Sequence, residues 1–170
     1  IFYSGSFGGG FCVYMFLTQP DVFNAYLAAT PAIDYEGGST LIMDNLHSYL
    51  AKNTYRDRFL YLGTENEVQL IPLLDKFVAV LEGARLEGLK WEYHHFFDED
   101  HGSITNKVVY HGLKFVFAEW NTIPDEIAGQ GVGAIRSYAS ALSKTYGYDI
   151  GLSRFAVAMA VRSYRDQGRT

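Results

Sequence analysis

Ile1-Phe2-Tyr3-Ser4-Gly5-Ser6-Phe7-Gly8-Gly9-Gly10-Phe11 is the stretch whose reading decides the fold. Ile1 to Ser4 suits a short strand, Gly5 to Gly10 a tight turn, and the run Phe11 to Leu17 is apolar all round, as in a helix buried within a layered protein. In that context Ser4-Gly5-Ser6-Phe7-Gly8 reads as a G-x-S-x-G turn whose first glycine is replaced by serine. Such a turn is strained and lifts the Ser6 side chain above the strand ends, while small neighbours keep the backbone clear of adjacent strands. The helix that starts there aims its N-terminal dipole at the same place, and the N–H of Phe7 is positioned to receive an oxyanion. The competing reading is a glycine-rich turn used for phosphate binding or close packing. Against it, no Walker lysine follows and the G-x-G-x-x-G register is absent.

Outward from this turn the chain alternates strand and helix. Pro20-Asp21 ends the first helix, Ala25 to Thr30 reads as a second strand, and the Pro and Gly content of Pro31 to Gly38 marks a loop. Leu41 to Lys52 suits a helix and Arg58 to Leu62 a third strand. Leu70, Leu74, Phe77 and Leu81 recur at i, i+4, i+7 and i+11, the stripe of a half-buried helix. Lys90 to Phe97 alternates as a fourth strand, and Val109, Leu113, Val116 and Trp120 return to helical spacing. This order predicts a mostly parallel sheet with helices on both faces. After Pro124 and the glycines at 129, 131 and 133, two further helical patterns, Ala134 to Tyr146 and Ser153 to Arg165, follow with no strand between them. The expected architecture is α/β over residues 1–122 with a helical extension over 123–170.

Composition excludes several function classes. Fourteen basic against nineteen acidic residues give a net charge of −5 without a Lys/Arg cluster, so nucleic acid is not an expected partner. The single cysteine, Cys12, forms neither an internal disulfide nor a thiolate metal cage. No apolar run approaches the roughly 18 residues of a membrane span. The start lacks methionine, a basic n-region and a cleavage site, and reads as an interior cut of a larger protein; the end, within a helical pattern, reads the same way.

A serine nucleophile needs a base and an orienting acid, which in a sheet of this kind arrive in the order Ser, acid, His on loops after successive strands. His101, in Asp98-Glu99-Asp100-His101-Gly102-Ser103, has the right place for the base. His94 and His95 fall within a strand and read as packed sheet residues, while His47 and His111 fall in helices. The acid slot is the loop Gly63-Thr64-Glu65-Asn66-Glu67, and spacing alone does not separate Glu65 from Glu67. Either is also suited to stabilise the next helix N-terminus. A metal reading would draw on His95, Asp98, Asp100 and His101, but there is no i, i+4 histidine pair on a helix.

These segments together resemble a known family. Ser4 to Gly9, Phe23 to Pro31, and Phe97 to Ser103 followed by Tyr110-His111-Gly112-Leu113-Lys114-Phe115 resemble the esterase group of α/β-hydrolases that includes enterochelin esterases, S-formylglutathione hydrolases and feruloyl or acetyl-xylan esterases. The resemblance implies an α/β-hydrolase fold and hydrolysis of a small-molecule carboxylic ester through an acyl-enzyme, with no cofactor and no metal. It implies Ser6 as nucleophile, His101 as base, Phe7 as an oxyanion donor, and Pro31, Asp34 and Tyr35 as pocket wall. Relatives carry an Asn-Glu pair after the preceding strand, which aligns with Asn66-Glu67 and prefers Glu67 as the acid; some work with a Ser–His dyad. Ile135 to Gly151, with Tyr138, Leu142-Ser143 and Tyr146-Gly147-Tyr148, resembles the tetratricopeptide-like helical extension of certain relatives, a surface for a protein partner. The family occurs in periplasmic and secreted proteins, and the residues do not decide a compartment. Two departures stand out: Ser4 and Gly5 replace the usual Gly and His of the turn, and the upstream strands with the second oxyanion donor are expected to precede Ile1. The rival expectation is a catalytically impaired hydrolase domain that serves as a binding module.

Overall fold

The computed structural model describes residues 1–34, 41–120, 122–152 and 154–168, Phe155 by its backbone alone. Strands β1 (Phe2–Gly5), β2 (Ala25–Ala29), β3 (Arg58–Thr64) and β4 (Leu89–His95) alternate with helices α1 (Ser6–Thr18), α2 (Leu41–Lys52), α3 (Ile71–Ala84) and α4 (Ile104–Val116). The four strands form one parallel sheet in the order β1-β2-β3-β4. Each crossover therefore steps the same way across the sheet. Right-handed crossovers taken in one direction leave their helices on one face. Accordingly Cys12, Val13, Phe16 and Leu17 of α1, Ile42, Leu46 and Leu50 of α2 and Leu74, Phe77 and Leu81 of α3 share a core with Tyr26, Ala28, Leu60 and Leu62.

The opposite face carries α4. The Phe115 ring lies 5.9 Å from that of Phe59 and 6.0 Å from that of Tyr61. Two glycines let the helix approach: a Cβ on Gly112 would come 2.5 Å from Leu27 Cδ2, and one on Gly63 would come 2.4 Å from Val108 Cγ2. The buried stripe of α4 is Ile104, Val108, Gly112 and Val116. Leu113, expected inside, is exposed, because the helix is set by the close approach at Gly112 and not by its largest apolar residues. Cys12 is fully buried, its Sγ–H facing the Leu27 carbonyl at 3.6 Å, and burial pushes the thiol up to about 12.

The chain divides into two compact units, Ile1–Phe115 and Val116–Thr170. The division falls before the expected boundary at 122 because the residues after α4's last turn pack with the second unit. Tyr146 Oη donates to the Val116 carbonyl at 2.6 Å, Tyr138 Oη to the Glu119 carbonyl at 2.9 Å, and the Phe117 and Tyr146 rings stack at 5.5 Å. The second unit contains the one-turn helix α5 (Asp125–Ala128), not foreseen, and then α6 (Val132–Tyr146) and α7 (Arg154–Asp166). Among the described residues no helix is long and apolar enough to cross a membrane.

Candidate active site

Ser6 stands directly after β1 with φ 55°, a left-handed conformation that a residue with a side chain enters only when its surroundings impose it. The surroundings are on both sides of the turn. The Ala32 N–H donates to the Ser6 carbonyl at 3.1 Å, which ties the turn to the loop after β2. A Cβ on Gly9 would lie 2.9 Å from the Ala29 carbonyl oxygen, and one on Gly10 would lie 2.3 Å from that of Ala32. Both positions demand glycine for close approach. α1 starts at Ser6, so Phe7 belongs to its first turn, at the positive end of the helix dipole.

His101 is delivered by the loop between β4 and α4. Asp100 Oδ1 accepts from the N–H groups of Ser103 at 2.8 Å and Gly102 at 2.9 Å, closing a turn immediately before α4. Those hydrogen bonds, from Ser103 first and then Gly102, hold the Asp100 carboxyl below the usual carboxylate range, with the His101 charge adding to them. Asp100 therefore shapes the loop that presents His101.

The acid loop places both candidate carboxylates beside the histidine. His101 Nδ1 donates to Glu65 Oε1 at 2.8 Å, while the nearest Glu67 oxygen lies at 3.7 Å. Glu65 is only 4% exposed and directly follows β3, whereas the Glu67 side chain is 35% exposed. The geometry thus favours Glu65 over the Glu67 preferred from the resemblance. The physical reason is direction: the residue after the strand keeps an inward-facing position, and two residues later the chain has entered the turn in which the Glu67 carbonyl accepts from Leu70 and Ile71. Glu65 Oε2 also accepts from Thr30 Oγ1. Asn66 clamps this loop to β4, its Oδ1 accepting from His95 Nε2 at 2.9 Å and its Nδ2 donating to the Phe97 carbonyl at 2.6 Å.

Ser6, Phe7, Ala32, Glu65, Glu67 and His101 line one cleft of about 530 Å³. Of the other loop candidates, Pro31 is buried beneath Gly9, and Asp34 is half-buried with its carboxyl pushed up by burial and then by Asp44. Ala32, and neither Pro31 nor Asp34, lines the cleft, and Tyr35 lies outside the described residues. His94 stacks on Tyr61 at 5.5 Å, His111 lies 5.4 Å from Phe96, and His47 is exposed on α2. Thr30 and Ala32 were not singled out in the sequence, and Asn66 entered only as the neighbour of Glu67 in the Asn-Glu pair. The only local signal for Thr30 was a polar residue between a small-residue strand and proline.

Among the described residues, the donors that gather within 4.8 Å of one another are Glu65, Glu67 and His101, not the set His95, Asp98, Asp100 and His101. Within that group His101 Nδ1 and Glu65 Oε1 are already joined to each other by a hydrogen bond.

No family model and no curated protein matches the sequence. Among solved structures the chain is similar to an IroE-like serine hydrolase from Shewanella oneidensis, at 19% identity and a TM-score of 0.73 over 99% of this chain and 54% of that one. It is similar to a protein from Capnocytophaga ochracea at 14% identity and a TM-score of 0.69, over 96% of this chain and 48% of that one. Siderophore hydrolase EstB from Aspergillus nidulans shares 18% identity at a TM-score of 0.51, over 68% of this chain and 47% of that one. The chain spans about half the length of these solved structures. The likeness establishes the fold as α/β-hydrolase-like, with a helical C-terminal part.

Proposed function

We propose that the chain carries the nucleophile, base and acid of a serine carboxylic-ester hydrolase. The observation that carries this reading is Ser6 itself, held left-handed between a parallel strand and a helix N-terminus and opening on a cleft shared with His101, whose Nδ1 is bound by a buried carboxylate. With Nδ1–H donated to Glu65, the neutral imidazole has its lone pair on Nε2, the form a general base requires. His101 Nε2 takes the Ser6 proton as Oγ adds to the ester carbonyl. The Phe7 N–H, in the first turn of α1, stabilises the oxyanion. The tetrahedral adduct collapses, the alkoxide leaves with the proton from His101, and water, deprotonated in turn by His101, releases the acid and frees Ser6. Glu65 orients the imidazole and balances its charge. Two fold neighbours named as serine hydrolase and siderophore hydrolase support the reaction class.

The test is covalent labelling of the full-length protein by a fluorophosphonate, together with hydrolysis of short- and long-chain activated esters. Ser6→Ala is expected to abolish labelling and nearly all turnover while the protein stays folded, because the Ser6 side chain opens on a cleft. Full activity in the folded Ser6→Ala protein would sink the proposal.

A further inference from the structure

Resting on the serine-hydrolase reading, we infer that Thr30 is a positioning residue that holds the Glu65 carboxylate, and through it His101, in register with Ser6. Thr30 directly follows β2, is fully buried, and has φ 44°. For a β-branched residue this left-handed backbone is a genuine outlier, and such strain persists only where the surroundings over-determine it. Glycine or asparagine would satisfy the backbone better. What threonine supplies instead is a hydroxyl, and that hydroxyl donates to Glu65 Oε2.

The two carboxylate oxygens are thereby divided between two donors, Thr30 Oγ1 on Oε2 and His101 Nδ1 on Oε1. Rotation of the carboxylate would break one of these bonds, so the hydroxyl selects the orientation offered to the imidazole. Thr30 is in turn fixed from both sides. Its N–H donates to the Gly63 carbonyl at 2.7 Å, and two residues later the Ala32 N–H holds the Ser6 carbonyl. The segment from Thr30 to Ala32 is a strut with the nucleophile's turn at one end and the acid at the other. Thr30, Ser6 and His101 also share the lining of a small cavity of about 250 Å³.

Three variants of the full-length protein test this against an activated short-chain ester, with thermal melting alongside. Thr30→Val keeps the shape and removes the hydroxyl; it is expected to lower kcat about 10- to 100-fold at unchanged KM, the range seen when the hydrogen-bond partner of a reactive group is lost. Thr30→Ser is expected to rescue most of that loss. Thr30→Gly adopts φ 44° without strain, and so provides a folded protein without the hydroxyl should valine fail to fold; it is expected to lose kcat likewise. In a Glu65→Gln background, Thr30→Val should add little, since both act on one contact. Wild-type kcat in folded Thr30→Val or Thr30→Gly, while Ser6→Ala is inactive, overturns the positioning role alone. A loss in Thr30→Ser equal to that in Thr30→Val, accompanied by a fallen melting temperature, overturns it in favour of a packing role. Turnover that survives Ser6→Ala overturns the hydrolase reading on which it rests.

Discussion

Glu65 and Glu67 are separated by one residue, yet only Glu65 combines burial with a 2.8 Å contact to His101 Nδ1. A carboxylate that balances an imidazolium matters on the way to the transition state, so its loss falls on kcat. Glu65→Gln is expected to lower kcat by up to about 10⁴-fold, the scale of a histidine held in the wrong tautomer. Glu67→Gln, removing a half-exposed charge 3.7 Å away, is expected to change it only a few-fold. Both variants are to be measured on the same activated ester. A large loss confined to Glu67→Gln would return the acid to the residue that the resemblance preferred, and mild losses in both would point to a dyad. At this scale spacing narrowed the acid to two residues and the resemblance then chose Glu67, whereas the contact to His101 is made by Glu65, because side-chain direction after a strand depends on where the chain turns.

At the scale of elements, glycines set how closely helices approach the sheet. Gly10, in the first turns of α1, has the Ala32 carbonyl oxygen 2.3 Å from where a Cβ would stand, and that neighbour is backbone that cannot swing aside. Gly10→Ala is expected to cost about 1–3 kcal/mol, as overpacking does. It should also lower the proposed ester hydrolysis, since the same Ala32 peptide is bonded to Ser6. Gly83, within α3, is the contrast: nothing lies within 4 Å of its would-be Cβ. Gly83→Ala is expected to stabilise by about 0.5–1 kcal/mol through helix propensity, with activity unchanged. Urea midpoints at equal m-values check both, and a neutral Gly10→Ala would contradict the close packing of α1 on the loop after β2. The same reasoning explains α4. Its helical spacing was legible in the residues, but the face it buries follows Gly112 against Leu27 and not the larger Leu113.

For the whole molecule, the groups moved most by burial share one sign. Burial pushes the Cys12 thiol and the phenols of Tyr55, Tyr93 and Tyr146 up to about 12, and raises those of Tyr26 and Tyr61. Above pH 9 the unfolded chain begins to lose these protons while the folded chain keeps them, so the unfolded state binds fewer and stability falls as pH rises. Their contribution is complete below pH 9 and is lost progressively towards pH 12. Urea midpoints between pH 8 and 11 should therefore decline along the alkaline limb; a flat profile would show that these groups titrate normally in the folded protein. What the sequence by itself determined is what lies close along the chain: the strand-turn-helix around Ser6, the βα alternation, the helical tail, and the loop that ends in His101. Turn chemistry and periodicity are local, and they are written in neighbouring residues. The tertiary structure alone decided which carboxylate meets His101, that Thr30 reaches that carboxylate, and which face of α4 is buried. Each of these joins residues more than thirty positions apart, as Thr30 with Glu65 and Glu65 with His101, and only the parallel stacking of strand ends brings them together.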